Sequence, residues 1–279
     1  MSDCCPRNII VVGAPRSGTS LTAGVFGRCG YFVGNITERH MREGDAGNPF
    51  GYFEADDVIA KNVELFQRAG FSFHNTWLFD PITEPAIERI EKMPPSDERR
   101  RFVDSYQQHT PWMWKDPRLC FTLAYWWKFM DPNTTGVLLV RRAFGQIHNS
   151  FRRRGWCKDG DQARTRLQHC IDRHLEVAEA AIKAMHIPHL EIEYSQCLEN
   201  PEGVASQLSR FCRCPIAVDM LNVRPDLNHS TFKGRLAARL RMSLDRGWLR
   251  HARFVRPLLP KRLITAVLPE KKYEKPTSE

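Results

Sequence analysis

Two kinds of apolar pattern alternate along the first 212 residues of this sequence. Short runs rich in β-branched residues, with no helical period, predict buried strands at residues 8–13, 136–140 and 189–192. Longer stretches with apolar residues at three- and four-residue spacing predict helices at residues 19–29, 55–69, 84–108, 118–130, 144–154, 162–185 and 201–212. Pro94-Pro95 interrupts the third of these helices. The alternation predicts an α/β fold with a central parallel sheet flanked by helices in three layers.

Charge divides the chain into two parts. Residues 1–232 contain 28 basic and 28 acidic residues, whereas residues 233–279 contain 13 basic and 4 acidic residues and carry the whole net charge of +9. In the second part, apolar residues at four-residue steps stand among arginines, which predicts a basic amphipathic helix (Leu236, Leu240, Leu244, Trp248). We therefore predict a domain at residues 1–232 and a basic extension at residues 233–279, with a disordered end.

The extension has two interpretations that the sequence leaves open. A basic helix with leucine and tryptophan on its other face suits peripheral contact with an anionic membrane. Alternatively, the helix packs on the domain and its arginines face solvent. Nucleic-acid binding is not expected, because the domain is neutral and no base-reading motif is present.

Apolar runs and cysteines predict a cytoplasmic protein. No run approaches 18 apolar residues, and the apolar stretch at residues 9–12 is too short for a signal peptide. The nine cysteines are odd in number and irregularly spaced, which argues for reduced thiols.

The sequence Gly13-Ala-Pro-Arg-Ser-Gly-Thr-Ser20 follows a predicted strand and precedes a predicted helix. It has the spacing of a P-loop, but Thr19 stands where the lysine belongs. Successive backbone N–H groups and the start of a helix form a cradle for an anion, and Arg16 supplies positive charge within the loop. We predict phosphate binding in a P-loop-like fold by Arg16, Ser17, Gly18, Thr19 and Ser20.

A P-loop kinase or other phosphotransferase is one alternative function. Such an enzyme needs the missing lysine at its phosphates and an acidic residue that completes a Mg²⁺ site. The strand at residues 136–140 instead ends in Arg141-Arg142, which favours a second anionic group over a metal. A non-enzymatic protein that binds membranes or polyanions through residues 233–279 is the other alternative.

Four ordered motifs resemble the superfamily of sulfotransferases that use 3′-phosphoadenosine 5′-phosphosulfate (PAPS), and in particular its bacterial branch. The phosphosulfate loop matches at Pro15-Arg-Ser-Gly-Thr-Ser20, and an arginine followed eight residues later by serine matches at Arg142 and Ser150. Lys115-Asp-Pro-Arg118 and Asn48-Pro-Phe-Gly-Tyr-Phe-Glu54 match two further segments. The resemblance covers residues 8 to about 212 and implies a PAPS-dependent transferase that needs no metal.

The resemblance implies the role of Arg142 and Ser150, and the chemistry of sulfuryl transfer suggests hypotheses for Arg16, Lys115 and Glu54. Arg142 and Ser150 would hold the 3′-phosphate of the nucleotide, with Arg141 as an adjacent alternative. Arg16 and Lys115 would stabilise charge on the departing phosphate oxygen. Glu54 would be the general base, with His40 as a second candidate.

The sequence leaves alternative roles open for several of these residues. Glu54 has an alternative role as an acidic residue at the start of a helix, and Lys115 as a structural partner of Glu54 or Asp116. Lys233 and Arg235 are further candidates for the 3′-phosphate. The acceptor is a hydroxyl or amine, and carbohydrate or glycolipid acceptors are suggested only by analogy with bacterial relatives.

Overall fold

The computed structural model describes residues 5–34, 51–71, 82–158 and 160–221. All of them belong to one compact unit and lie within the predicted domain of residues 1–232. The basic extension and His40 lie outside the described residues, as do Lys233 and Arg235. The boundary between domain and extension therefore stays a prediction.

Helices and strands alternate as the apolar pattern predicted. The strands are β1 (Asn8–Val12), β2 (Met113–Lys115), β3 (Thr135–Arg141) and β4 (His189–Glu193). The helices are α1 (Thr19–Arg28), α2 (Asp56–Arg68), α3 (Glu84–Lys92), α4 (Asp97–Gln107), α5 (Leu119–Trp127), α6 (Phe144–Arg153), α7 (Asp161–Ala184), α8 (Tyr194–Glu199) and α9 (Pro201–Cys212), followed by a 3₁₀ helix (Val218–Leu221). None of the helices within the described ranges has the length and apolar character needed to cross a membrane.

The four strands form one parallel sheet in the order β2-β1-β3-β4. The prediction of an α/β fold with a central parallel sheet is confirmed. Strand β2 was not predicted, because three residues are too few to show a period. In this strand order, β2, β1 and β3 end side by side, with Val11 level with both Lys115 and Leu138.

Both faces of the sheet are buried, which explains the continuous apolar runs in the sequence. Successive side chains of a strand point to opposite faces. Ile9 and Val11 accordingly pack with α1 and α9 on one face, while Ile10 and Val12 pack with α5 on the other. Each of these four side chains is at most 1% exposed, and burial of one such side chain contributes about 1.5–3 kcal/mol. The sheet is thus a rigid platform for the loops at its edge.

A buried polar network ties α2 to the segment after β2. Asn62 donates to Asp116 Oδ2 at 2.9 Å and accepts hydrogen bonds from Thr122 and from the indole of Trp126, both at 2.8 Å. The other oxygen of Asp116 accepts from the guanidinium of Arg118 at 2.7 Å. Asp116 therefore has a structural role, since both of its oxygens bind groups of the core. The tryptophans predicted to lie in the core are buried (Trp112, Trp114, Trp126, Trp127).

Candidate functional site

The loop after β1 bends back on itself before α1 begins at Thr19. Arg16 adopts a left-handed backbone with φ 68°, which costs about 1–2 kcal/mol in a residue with a Cβ atom. Gly18 has φ 111°, and a Cβ atom there would lie 2.5 Å from the ring of Tyr194. The second glycine of the motif is therefore required both by the backbone angle and by the close approach of this ring.

The loop has unsatisfied hydrogen-bonding groups that suit a phosphate. Ser17 Oγ is buried and has no hydrogen-bond partner among the described residues. In the first turn of α1, the N–H of Leu21 already donates to the carbonyl of Gly18 at 3.0 Å, whereas the N–H groups of Thr19 and Ser20 have no carbonyl four residues earlier in the helix. Together with the positive end of the helix dipole, these donors are suited to an anion, and binding by residues 16–20 stays a prediction.

Arg142 lies directly against this loop. Its Nη1 donates to the carbonyl oxygen of Arg16 at 3.2 Å, and its Nε donates to Gln146 Oε1 at 2.8 Å. Its guanidinium carbon lies 3.9 Å from the centre of the Tyr194 ring. All three partners are neutral, and in the described part of the chain no carboxylate forms an ion pair with Arg142.

The surroundings of Arg142 disfavour its charge. Burial lowers the pKa of the guanidinium, and electrostatic interactions with Tyr194 and Glu193 oppose that shift only in part. The side chain nevertheless stays charged, since arginine is not deprotonated in proteins. A partly buried cation that forms no ion pair within the described residues is suited to a ligand anion, because the anion would replace the stabilisation that water no longer provides.

The neighbouring Arg141 has a different environment. Its Nη2 lies 2.8 Å from a carboxylate oxygen of Glu179, and its Nε lies 2.9 Å from one of Glu191. Arg141 is therefore already paired with two acidic side chains. Of the two arginines that the motif left open, the structure brings only Arg142 to the loop.

Ser150 joins the same group from α6. Its hydroxyl accepts a hydrogen bond of 3.0 Å from Arg16 Nε, across 134 residues of sequence. The side chain is 2% exposed and faces the loop from the middle of the helix. Both predicted anion-binding groups, the loop and the Arg142–Ser150 pair, thus lie at one edge of the sheet and are linked by direct contacts.

Tyr194 was missed by the sequence analysis. It is the first residue after β4, it is 8% exposed, and its ring packs between Gly18 and Arg142. A position directly after a strand was the available signal, because the carboxyl ends of parallel strands are where ligands bind in open α/β sheets. No hydrophobic period and no motif in the sequence marks this tyrosine.

We predict that Gly18→Ala weakens nucleotide binding about tenfold, since strain of about 1–3 kcal/mol is expected at such a position. The new methyl group would displace the Tyr194 ring, which lies within 2.5 Å, and with it the guanidinium of Arg142. Calorimetric titration with 3′-phosphoadenosine 5′-phosphate (PAP) measures the change.

Gly30→Ala is the matched control for this substitution. Gly30 also has a positive φ, of 80°, but its added Cβ would meet nothing within 4 Å. It should therefore lose some stability and retain its affinity for PAP. Equal affinity losses in the two variants would contradict the role given to the contact between Gly18 and Tyr194.

Lys115 lies at the carboxyl end of β2, one strand away from the loop. Its Nζ forms an ion pair with Glu54 and lies 3.4 Å from the hydroxyl of Ser20. Both charged side chains of the pair are almost fully buried, at 3% and 4% exposure. The ammonium therefore lies between the first turn of α1 and the carboxylate of Glu54.

A strained segment holds Glu54 in place. Phe53 has a left-handed backbone with φ 54°, and its ring lies on the glycine face of α1, where Cβ atoms at Gly24 and Gly27 would come within 3.0 and 3.2 Å of it. The side chains on either side of Phe53 both approach Lys115: Glu54 pairs with it, and the ring centre of Tyr52 lies 5.9 Å from Nζ. Because Gly24 and Gly27 lack side chains, the ring of Phe53 can pack closely against α1, and the neighbouring Glu54 then lies next to Lys115.

The structure brings together every site residue predicted within the described ranges. The roles of Glu54 and Lys115 in catalysis stay predictions, as does the choice between Glu54 and His40 as the base. Among residues 5–34, 51–71, 82–158 and 160–221, no cluster of three or more His, Cys, Asp or Glu side chains is arranged to hold a metal ion.

Comparisons with known proteins gave matches among solved structures only. No family model and no curated protein matches the sequence. The chain is similar to the sulfotransferase STF1 of Mycobacterium tuberculosis, with 15% identity over 78% of this chain and 70% of the other and a TM-score of 0.45. It is also similar to the sulfotransferase domain of the curacin biosynthetic pathway, with 14% identity, coverage of 82% and 81%, and a TM-score of 0.47. A third similar structure is the sulfotransferase domain of the olefin synthase of Synechococcus PCC 7002, with 14% identity, coverage of 79% and 78%, and a TM-score of 0.41. All three are sulfotransferases, the family that the sequence motifs resemble.

Proposed function

We propose that this protein transfers the sulfuryl group of PAPS to a hydroxyl or amine of an acceptor and releases PAP. The observation that carries the proposal is the partly buried guanidinium of Arg142, which lies against a phosphate-type loop and forms no ion pair with a described carboxylate. A nucleotide with phosphates at both its 3′ and 5′ positions supplies one anion for the loop and one for Arg142. ATP lacks the 3′-phosphate.

The nucleotide end of the site is built from two groups of donors. The loop at residues 16–20 binds the 5′-phosphosulfate through the N–H groups of Gly18, Thr19 and Ser20 and the hydroxyl of Ser17, whose own N–H donates to the carbonyl of Ala14 at 3.1 Å. Arg142 and Ser150 bind the 3′-phosphate, for which the forked donors of arginine are well suited. Because Arg16 donates to Ser150 as well as belonging to the loop, it connects the two groups.

The acceptor end of the site is the Glu54–Lys115 pair. Glu54 takes the proton of the acceptor hydroxyl while the new bond between acceptor oxygen and sulfur forms. The bond between sulfur and the 5′-phosphate oxygen breaks, and the phosphate oxygen keeps the electron pair. Lys115 and Arg16 stabilise the charge that develops on that oxygen, and the 3.4 Å contact between Lys115 and Ser20 supports this placement.

The loop itself supports sulfuryl over phosphoryl transfer. Thr19 replaces the lysine that P-loop kinases use at the β- and γ-phosphates. Transfer of the less charged sulfonate makes smaller electrostatic demands, so positioning and fixed donors suffice and no metal is required. A carbohydrate or glycolipid acceptor, a cytoplasmic location and a membrane role for residues 233–279 stay predictions.

Calorimetry with three nucleotides tests the proposal. PAP should bind at least about tenfold more tightly than either ATP or AMP, because only PAP presents anions to both groups of donors. The PAP affinity should not change on addition of Mg²⁺ or EDTA. Binding of ATP as tight as that of PAP, and dependent on Mg²⁺, would overturn the proposal in favour of a phosphotransferase.

A further inference from the structure

A further cation lies beyond the Glu54–Lys115 pair. Arg154 follows the last residue of α6 with helical backbone angles, four residues after Ser150. Side chains four residues apart lie on the same face of a helix. Ser150 faces Arg16 at the nucleotide end, so Arg154 lies one turn further along the same side of the site.

Tyr52 connects Arg154 to the proposed reaction centre. Arg154 Nη1 donates to the hydroxyl of Tyr52 at 3.0 Å, although the two residues are 102 positions apart. The ring of the same tyrosine lies 5.9 Å from Lys115 Nζ. Tyr52 thus contacts Arg154 through its hydroxyl and approaches Lys115, the partner of Glu54, with its ring.

Aromatic packing holds the guanidinium of Arg154 in a fixed orientation. Its carbon lies 4.8 Å from the centre of the Trp156 ring, and that ring meets Phe151 edge-on at 5.8 Å between centres. Phe151 is fully buried between α6 and α7. Arg154, Tyr52 and Trp156 are themselves only partly buried, so part of each side chain is exposed to solvent. Stacking on an aromatic face leaves the edge of a guanidinium directed at its hydrogen-bond partners.

We propose that Arg154 and the Tyr52 hydroxyl bind an oxyanion on the acceptor, namely a carboxylate, sulfate or phosphate close to the group that becomes sulfated. The inference rests on the proposed function and names the class of its acceptor. Arginine offers two parallel donors to an oxyanion, and a tyrosine hydroxyl that accepts from arginine also donates its own hydrogen to the same ligand. Arg16, Lys115 and Arg142 add positive potential, which attracts an acidic acceptor to the cleft.

Binding of inorganic sulfate tests this subsite directly. Sulfate is titrated into the protein with and without saturating PAP, at constant ionic strength. Arg154→Gln should weaken the binding of sulfate at least about fivefold and Tyr52→Phe about twofold to threefold, as expected for the loss of one charge-assisted and one neutral hydrogen bond. Arg152→Gln is the matched control, because it removes the same charge from an exposed position on the same helix end. Equal sulfate affinity in the wild type and Arg154→Gln would overturn the subsite.

Turnover of matched acceptor pairs gives the second measurement. Each pair carries the same hydroxyl with and without a carboxylate or sulfate, for example 4-hydroxybenzoate with 4-hydroxybenzyl alcohol, and a methyl glucuronide with the methyl glucoside. The wild type should prefer the anionic member, and Arg154→Gln should lower kcat/KM for that member alone, about tenfold. A preference for neutral members, or equal losses for both members, would overturn the inference.

The two proposals fail in different ways. Absence of PAP binding to the wild type would overturn the proposed function. The sulfate titration without PAP would still show whether Arg154 binds an oxyanion. Unchanged PAP affinity in Arg154→Gln is expected in either case, since Arg154 lies outside the nucleotide end of the site.

Discussion

Arg142→Ala should weaken PAP binding about 30- to 4,000-fold, because the loss of a partly buried cation that binds a ligand anion costs about 2–5 kcal/mol. The 3′-phosphate would then lack its main donor, while the loop at residues 16–20 would still bind the 5′ end. Affinity for AMP, which carries only the 5′-phosphate, should fall much less. Calorimetry with PAP and AMP on the same preparation measures both changes.

Arg141→Gln is the matched control for this prediction. It removes a neighbouring positive charge whose partners are Glu179 and Glu191, away from the loop. Its affinity for PAP should stay close to that of the wild type. If Arg141→Gln weakened PAP binding as much as Arg142→Ala, the 3′-phosphate site would have to be moved to the other arginine.

Glu54→Gln should lower turnover about 10²–10⁴-fold, the range that a general base contributes. The amide keeps the shape of the side chain and an oxygen for the Lys115 ammonium, but it accepts no proton. Affinity for PAP should change less than about threefold, since Glu54 lies on the acceptor side of Lys115. Steady-state release of PAP and calorimetry together separate the two effects.

A second glutamate provides the control for Glu54. Glu64 lies on α2 and pairs with the buried guanidinium of Arg99 at 2.5 Å, so Glu64→Gln removes the same charge from a structural ion pair. The ion pair with Arg99 lowers the pKa of Glu64, and burial opposes this shift only in part. Glu64→Gln should lose some stability and retain full turnover per folded molecule. Full activity in Glu54→Gln would exclude Glu54 as the base and leave His40 as the remaining candidate.

Local patterns in the sequence predicted most of the fold. Apolar runs predicted β1, β3 and β4, and helical spacing predicted the long helices, since both periods are properties of neighbouring residues. Strand β2 and the short helix α8 were missed, because three and six residues carry too little periodic signal. The order of the strands could not be predicted from the sequence either, because it depends on which elements pack together.

The sequence by itself determined the residue types of the candidate site and their spacing along the chain. The loop from Gly13 to Ser20 and the Arg142–Ser150 pair are each local motifs, so their chemistry is readable without coordinates. Only the tertiary structure decided that Arg142 and not Arg141 faces the loop. It also decided that Tyr194 packs between Gly18 and Arg142, and that Glu54 reaches Lys115 across 61 positions. The physical reason is that these contacts join residues from different strands and helices. Strand pairing and burial of the sheet bring those residues to one edge, and a local sequence pattern carries no information about either.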